Sequence, residues 1–196
     1  MIKVLFICHG NICRSTMAEF VFRDMVRRAG REDEFYIESA ATSREEIGND
    51  THPGTKGKLR ENGIPFERHY ARQITKADYD KFDYLIGMDD ANVRNIQRIC
   101  GGDPEHKITK LLDHAGANRN IADPWYTGNF DETYDDVIEG CEALLEEFLN
   151  TGDLSADSIT AAVQQGRIFP VWFGSALKLQ GVSEFMKSLE TYAPQC

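Results

Sequence analysis

The sequence lacks the features that mark membrane, secreted and zinc-binding proteins. It contains no run of about 18 apolar residues, the length that a helix needs to cross a bilayer, so we expect no membrane partner. No signal peptide precedes the first apolar run, and no Cys/His spacing matches a zinc site. These absences predict a cytoplasmic protein that uses no metal and no cofactor.

Positive charge is scarce as well. The chain of 196 residues has 22 Lys and Arg against 32 Asp and Glu, a net charge of −10. A nucleic-acid partner would require a basic face, so we expect none, and any anion site must be local. The five cysteines are odd in number and irregularly spaced, which indicates reduced thiols rather than a disulfide framework. They are Cys8, Cys13, Cys100, Cys141 and Cys196.

An apolar segment at the N-terminus leads into a tight loop and then a helix. Residues 2–7 are apolar except for one lysine, which predicts a strand buried on both faces of a parallel sheet and ending at Cys8. Gly10 and Asn11 suit a tight loop, and the apolar spacing that follows predicts a helix over 15–29. Cys8 therefore lies between the end of a strand and the start of a helix.

This position would place Cys8 at an anion site that favours a reactive cysteine. Loop N–H groups and the positive end of a helix dipole form an anion site, and the same field favours the thiolate form of a cysteine. Arg14 can bind two phosphate oxygens through its planar guanidinium, and Ser15 can donate its hydroxyl to the sulfur. The remaining anion-binding loop positions are His9, Gly10, Asn11, Ile12 and Cys13.

The sequence Cys-His-Gly-Asn-Ile-Cys-Arg-Ser after an N-terminal strand resembles the phosphate loop of the low-molecular-weight protein tyrosine phosphatases. The resemblance runs to about residue 150. It implies hydrolysis of protein phosphotyrosine and small aryl phosphates through a phosphocysteine, with phosphotyrosine-containing proteins as partners. It continues through Glu38-Ser39-Ala40, Ala71-Arg72-Gln73-Ile74-Thr75, Met88-Asp89, Asn92 and Asp123-Pro124-Trp125-Tyr126.

The alternation of strand and helix patterns predicts an α/β domain over 1–150. We expect a doubly wound, parallel four-stranded sheet flanked by helices, with ligands at the carboxyl ends of the strands. By resemblance this fold is phosphotyrosine phosphatase I-like. We predict no regular secondary structure at 72–80 and a turn-rich loop at 118–130. Strands are predicted at 2–7, 34–39, 82–87 and 107–112, and helices at 15–29, 53–62, from 90 onward and around 134–148.

A phosphotyrosine leaving group needs a proton, so the site needs an acid facing the cysteine. Two Asp-Pro pairs compete for this role. Asp103 follows two glycines without an aromatic neighbour, which is typical of a plain turn. Asp123 precedes Trp125 and Tyr126, which could wall a pocket for a phenyl ring. We therefore expect Asp123 to be the general acid and base.

Other roles follow from the resemblance alone. It implies that the side-chain amide of Asn11 holds the loop, that Ser39 supports it and that His69 forms a hydrogen bond to it. A surface histidine in a charged stretch is the other interpretation of His69. The resemblance also implies a reversible disulfide between Cys13 and Cys8, whereas a buried, inert thiol is the ordinary fate of a cysteine.

Three alternative functions remain open. Arsenate reduction on this fold needs cysteines relayed near the loop, and Cys100 and Cys141 are isolated. Protein arginine phosphatases typically carry a threonine at the position of Ile12. A non-catalytic module that binds phosphorylated partners would not need the complete set of Cys8, Arg14 and Asp123. Phosphotyrosine hydrolysis is therefore the favoured interpretation.

The loop after Thr42-Ser43 departs from the family pattern. Many members carry an aromatic residue there, and this chain has Arg44-Glu45-Glu46. Two carboxylates near the pocket mouth would disfavour acidic flanks on a substrate, and a solvated loop is the other interpretation.

Gly152-Asp153 marks the boundary of a second unit, an appendage at 151–196. Its pattern predicts helix 155–165, strand 168–173 and helix 182–192. The run Gly174-Ser175-Ala176-Leu177-Lys178 and Gly181-Val182 resemble part of a translational GTPase of the elongation factor G and ribosomal-protection type. The chain has no Gly-x4-Gly-Lys-[Ser/Thr] loop, so we expect no bound nucleotide. The strand is too apolar to remain a free edge, which predicts docking on the first domain or a homodimer through this segment.

Overall fold

The structure is a computed structural model that describes residues 1–151. The boundary at Gly152-Asp153, the three elements predicted after it and the resemblance to a translational GTPase lie outside the described residues.

The described chain forms a four-stranded parallel sheet with helices on both faces, as predicted. The strand order is β2-β1-β3-β4, so the first strand lies in the interior of the sheet. The chain moves to one side of β1 and then to the other, and such a switch point opens a crevice at the carboxyl ends of the strands. The strands are β1 Ile2–Cys8, β2 Phe35–Ala41, β3 Tyr84–Gly87 and β4 Ile108–Lys110. The helices are α1 Arg14–Arg28, α2 Pro53–Glu61, α3 Lys76–Lys81, α4 Asp90–Cys100, α5 Pro124–Thr127 and α6 Phe130–Thr151.

Alternate residues of β1 belong to two separate cores. Val4 and Phe6 belong to the same apolar cluster as residues of α1 and α6, while Leu5 and Ile7 belong to a second cluster with residues of α3 and α4. All four side chains are fully buried, and burial of a side chain this size stabilises a fold by about 1.5–3 kcal/mol. A slip of one residue would exchange the two faces, so this packing fixes where β1 ends and where Cys8 lies.

Two segments differ from the sequence-based expectation. No regular secondary structure was predicted at 72–80, yet helix α3 forms there. The helix begins at this point because the N–H and hydroxyl of Thr75 both donate to Asp78, at 2.7 and 2.9 Å. This is a capping box, and the Thr-x-x-Asp spacing was the available signal. In the predicted loop 118–130, α5 forms one short turn that starts at Pro124, a residue favoured at the first helical position.

The other boundaries differ by a few residues. Helix α1 begins at Arg14, one residue before the predicted start, and strand β4 is shorter than predicted because a 3-10 turn begins at Leu111. Within residues 1–151, no helix is both long enough and apolar enough to cross a membrane.

Candidate active site

The segment between β1 and α1 forms a compact loop around the sulfur of Cys8. Asn11, in the middle of the loop, has φ of 58°, a left-handed conformation that asparagine tolerates better than most residues. Its backbone N–H donates to the Cys8 sulfur at 3.3 Å, and the hydroxyl oxygen of Ser15 lies 3.0 Å from the same sulfur. The sulfur therefore has two polar neighbours at the first turn of a helix, where negative charge is favoured.

The side chain of Asn11 ties this loop to the rest of the domain. Its amide nitrogen donates to the hydroxyls of Ser15 and Ser39 at 3.0 and 2.8 Å. Its amide oxygen is 3.0 Å from Nε2 of His69 and accepts from the backbone N–H of Arg72 at 3.2 Å. Asn11 is completely buried, and these four contacts use its full hydrogen-bonding capacity.

His69 acts as the donor in this contact, because the amide oxygen of Asn11 can only accept. Burial lowers the pKa of the His69 imidazole, although Asp50 and Asn11 partly oppose this effect. The ring is therefore neutral at pH 7, with its proton on Nε2. The structure brings His69 to the loop, as the resemblance implied, rather than leaving it as an isolated surface histidine.

The network continues to a buried carboxylate that the sequence analysis did not identify. Ser39 donates to Glu19 at 2.5 Å, and the other oxygen of Glu19 pairs with Arg23 at 2.7 Å. Burial raises the pKa of Glu19, while Arg23 and Ser39 counteract the shift. The i, i+4 spacing of Glu19 and Arg23 on α1 was the only sequence signal for this pair.

The segment that follows β2 holds the loop through its backbone. The N–H groups of Thr42 and Ser43 donate to the carbonyls of Cys8 and His9, at 2.8 and 3.0 Å. Farther along, the N–H of His52 donates to the carbonyl of Ile12 at 2.8 Å. The loop is thus held from outside at several points.

Arg14 is 3% exposed and is held by two carboxylates. Its Nη1 donates to Asp89 at 2.6 Å and to the carbonyl of Ile121 at 3.0 Å, and its Nη2 donates to Asp123 at 2.5 Å. Burial alone would lower the pKa of Arg14, but Cys8, Asp123 and Asp89 together raise it above its usual value. The guanidinium is therefore a permanent cation beside Cys8.

The Nε of Arg14 is buried and has no hydrogen-bond partner within the described part of the chain. An unpaired buried donor costs free energy, so this atom favours an anion as its partner. In the sequence, Asp89 was recognised only as part of the family resemblance and not as a partner of Arg14. It also caps α4, since its Oδ1 accepts from the N–H of Asn92 at 2.7 Å.

The two competing aspartates lie in different environments. Asp123 caps α5 by accepting from the N–H of Trp125 at 3.1 Å, while its other oxygen contacts Arg14. Asp103 accepts from the hydroxyl of Tyr79 at 2.9 Å and from the N–H of Lys107 at 2.8 Å, which is a structural turn. Only Asp123 lines the pocket that contains Cys8.

This pocket encloses about 490 Å³, including space open to solvent at its mouth. Trp125 and Tyr126 are 58% and 82% exposed and lie on its aromatic side. Glu45 and Glu46, from the loop after Thr42-Ser43, also line the pocket, and Glu45 pairs with His9 at 2.9 Å. The lining residues are Cys8, His9, Gly10, Ile12, Cys13, Glu45, Glu46, Asp123, Trp125 and Tyr126.

Cys13 lines the same pocket as a free thiol. Burial, and then the charges of Cys8 and Asp123, raise the pKa of Cys13 to about 12. It is therefore protonated at neutral pH. Over residues 1–151, no group of three or more His, Cys, Asp or Glu side chains could hold a metal ion.

Residues 3–154 match the family described as low molecular weight phosphotyrosine protein phosphatase. The low molecular weight protein-tyrosine-phosphatase YfkJ of Bacillus subtilis (strain 168) is 43% identical over 147 residues, which cover 74% of this chain and 94% of that protein.

Solved structures agree with this match. The crystal structure of YfkJ superposes with a TM-score of 0.74 at 41% identity and covers 76% of this chain and 96% of that chain. The crystal structure of DARP, a drosophila arginine phosphatase, gives a TM-score of 0.69 at 28% identity and covers 75% of this chain and 98% of that chain. The chain belongs to the low molecular weight phosphotyrosine protein phosphatase family.

Proposed function

We propose that the protein hydrolyses phosphotyrosine in proteins, and small aryl phosphates, through a covalent phosphocysteine on Cys8. The observation that carries this proposal is the convergence of Cys8, Arg14 and Asp123 at one pocket, at the carboxyl end of an interior strand. A nucleophile, a fixed cation and a carboxyl group are the three parts that transfer of a phosphoryl group to a thiolate requires.

In the first step, the Cys8 thiolate attacks phosphorus and the bond between phosphorus and the tyrosine oxygen breaks. Asp123 donates its proton to the departing phenolate oxygen, which prevents a poor leaving group from leaving as an anion. Arg14 and the loop N–H groups stabilise charge on the oxygens of the transferring group. The free Nε of Arg14 supports this role, because it is a buried donor without a partner among residues 1–151.

In the second step, the Asp123 carboxylate accepts a proton from water as the water attacks the phosphocysteine. The bond between sulfur and phosphorus breaks, inorganic phosphate leaves and the Cys8 thiolate is restored. Hydrogen bonds from Ser15 and Asn11 can stabilise the returning negative charge on sulfur. No cofactor takes part in either step.

The walls of the pocket suit an aromatic phosphate ester. Trp125 and Tyr126 provide apolar surface at the mouth, where the phenyl ring of the substrate would lie. Glu45 and Glu46 supply negative charge to the same mouth, which would disfavour acidic residues next to the phosphotyrosine. The partners are therefore phosphotyrosine proteins with neutral or basic flanking sequences.

Arsenate reduction is less well supported. Such a reaction needs thiols that can reach Cys8 in succession. Of the further cysteines that the structure describes, Cys100 is buried in a different apolar cluster from Cys8, and Cys141 is completely buried in the interior of the cluster that includes Cys8. Only Cys13 shares the pocket. Hydrolysis of phosphoarginine, the activity in the name of DARP, remains the nearest alternative, and Ile12 in place of threonine argues against it.

The protein is further proposed to act in the cytoplasm, with residues 151–196 as a separate appendage that binds no nucleotide. This part of the proposal depends on the sequence, since the chain lacks a triphosphate-binding loop. Docking of the apolar segment 168–173 on the phosphatase domain, or pairing with a second copy, would remove its exposed edge.

The decisive experiment compares turnover of a phosphotyrosine peptide, phosphoarginine and arsenate by the full chain, with Cys8→Ser as the background control. We expect turnover of the phosphotyrosine peptide to exceed that of the other two substrates by at least an order of magnitude. Preference for phosphoarginine or arsenate would assign the alternative enzyme. Phosphopeptide binding without turnover above the Cys8→Ser control would instead indicate a binding module.

A further inference from the structure

We propose that His52 is a positioning residue that sets where Asp123 stands relative to the phosphate loop. The inference rests on the proposed function, because it concerns the proton transfer assigned to Asp123. His52 lies outside the lining of the pocket, so it acts through its neighbours rather than on the substrate.

His52 is attached to the phosphate loop through its backbone. Its N–H donates to the carbonyl of Ile12 at 2.8 Å, in the middle of the loop that surrounds Cys8. Its ring is oriented by a second bond, because Nδ1 accepts from the N–H of Gly54 at 3.1 Å and thereby caps α2. Both the position and the direction of the imidazole are therefore fixed relative to the loop.

The same ring contacts two aromatic residues that follow Asp123 in the sequence. It stacks on Phe130, with ring centroids 5.1 Å apart and planes 8° from parallel, and it meets the Trp125 ring edge-on at 5.9 Å and 76°. Trp125 is two residues after Asp123, and Phe130 is the first residue of α6. The imidazole thus contacts one residue within the short turn that Asp123 begins and one residue shortly after that turn.

Gly54 allows the Phe130 ring to approach α2 closely. A Cβ at Gly54 would lie 2.5 Å from the Phe130 ring, so that ring packs directly on the first turn of α2. Phe130 also packs against Ile12, Cys13 and Ala71, behind the loop. The stack of His52 on Phe130 therefore joins two segments that are far apart in sequence: one is bonded to the phosphate loop, and the other follows Asp123.

His52 also has a simpler structural role, which the experiment must separate from the positioning of Asp123. His52 caps α2, and loss of a cap lowers stability without any specific effect on chemistry. Two substitutions divide these roles. His52→Asn retains a side-chain acceptor for the cap and removes the ring, whereas His52→Phe retains an aromatic ring and removes the acceptor.

We expect His52→Asn to lower kcat/KM for phenyl phosphate by about 10- to 100-fold, since a small misplacement of a catalytic group has this effect. The loss should shrink for aryl phosphates with better leaving groups, because those need less protonation. Inhibition by inorganic phosphate should be unchanged, because the loop itself is intact. His52→Phe should keep the leaving-group dependence of the unmodified protein. Phe130→Leu, which leaves His52 and its cap unchanged, should show the same signature as His52→Asn.

A double-mutant comparison completes the test. In an Asp123→Asn background, His52→Asn should cause no further loss in kcat/KM, because the acid that it positions is already absent. Additive losses, an equal loss for all leaving groups, or equal behaviour of His52→Asn and His52→Phe would overturn the inference. If Asp123→Asn alone shows no dependence on the leaving group, the proposed role of Asp123 fails instead, so the two failures are distinguishable.

Discussion

The guanidinium of Arg14 donates a hydrogen bond of 2.5 Å to the carboxylate of Asp123. The proposed anion-binding group and the proposed acid therefore neutralise each other in the absence of a substrate. A dianionic phosphoryl group entering the pocket competes with Asp123 for the same donor. We expect binding to weaken this ion pair, so that the carboxylate of Asp123 can take up a proton from solvent and then donate it to the leaving group.

The role of Asp123 predicts a specific kinetic pattern. Asp123→Asn should lower kcat/KM, which reports transfer of the phosphoryl group to Cys8, by roughly 10²- to 10⁴-fold for phenyl phosphate, the usual contribution of a positioned acid. The loss should diminish across a series of aryl phosphates as the leaving group becomes less basic. Asp103→Asn is the matched control, because Asp103 caps a turn outside the pocket, and it should retain normal kinetics. A uniform loss for Asp123→Asn across the series would assign Asp123 a structural role.

We expect Asp89 to affect catalysis by holding Arg14 rather than by contacting the substrate. Asp89→Asn preserves an acceptor for the α4 cap but replaces a charge-assisted bond to the guanidinium with a weaker neutral one. We expect kcat/KM for aryl phosphates to fall by about tenfold, with little change in melting temperature. Asp90→Asn changes a neighbouring carboxylate that pairs with Lys110 instead, and serves as the control. Equal kinetics for the two variants would show that the bond from Asp89 to Arg14 does not contribute to catalysis.

These contacts show what the sequence could and could not predict. The change from a buried strand to a helical stripe placed Cys8, Arg14 and the loop between them, because that signal is local. The pairing of Arg14 with Asp89 depends on how β1 and β3 lie side by side in the sheet, and no local pattern encodes it. The stack of His52 on Phe130 likewise joins distant segments. Helix α3 was missed for a different reason, since the spacing of Thr75 and Asp78 carried the signal.

Oxidation should distinguish the two cysteines of the pocket. We expect Cys8 to react first because it is the proposed nucleophile, whereas Cys13 is protonated at neutral pH. Peroxide would convert the Cys8 thiolate to a sulfenic acid, and attack by the Cys13 thiol would release water and form a disulfide.

Recovery after peroxide treatment measures this protection. Dithiothreitol should restore activity of the unmodified protein more completely than activity of Cys13→Ser, in which Cys8 can proceed to irreversible acids. Cys100→Ser is the control, because Cys100 lies in a separate apolar cluster. Identical recovery of all three proteins would exclude a protective role for Cys13.

Deletion of 151–196 tests the proposed independence of the appendage. The truncated protein should keep the kcat/KM of the full chain, because every residue assigned to the site lies before Asn150. We expect a lower melting temperature or a changed mass in solution, since docking or pairing of segment 168–173 would be lost. Unchanged values of both would indicate a passenger segment. Binding of GTP by the full chain would contradict the nucleotide-free assignment.

The most direct test of the central claim is rapid-quench kinetics with an aryl phosphate, combined with mass measurement of the quenched protein. The phosphocysteine mechanism predicts a burst of phenol of about one equivalent per enzyme and a phosphoryl group on Cys8. Cys8→Ser should show no burst while still binding inorganic phosphate, because the anion site is intact. Turnover by Cys8→Ser at a rate comparable to that of the unmodified protein would show that Cys8 is not the nucleophile.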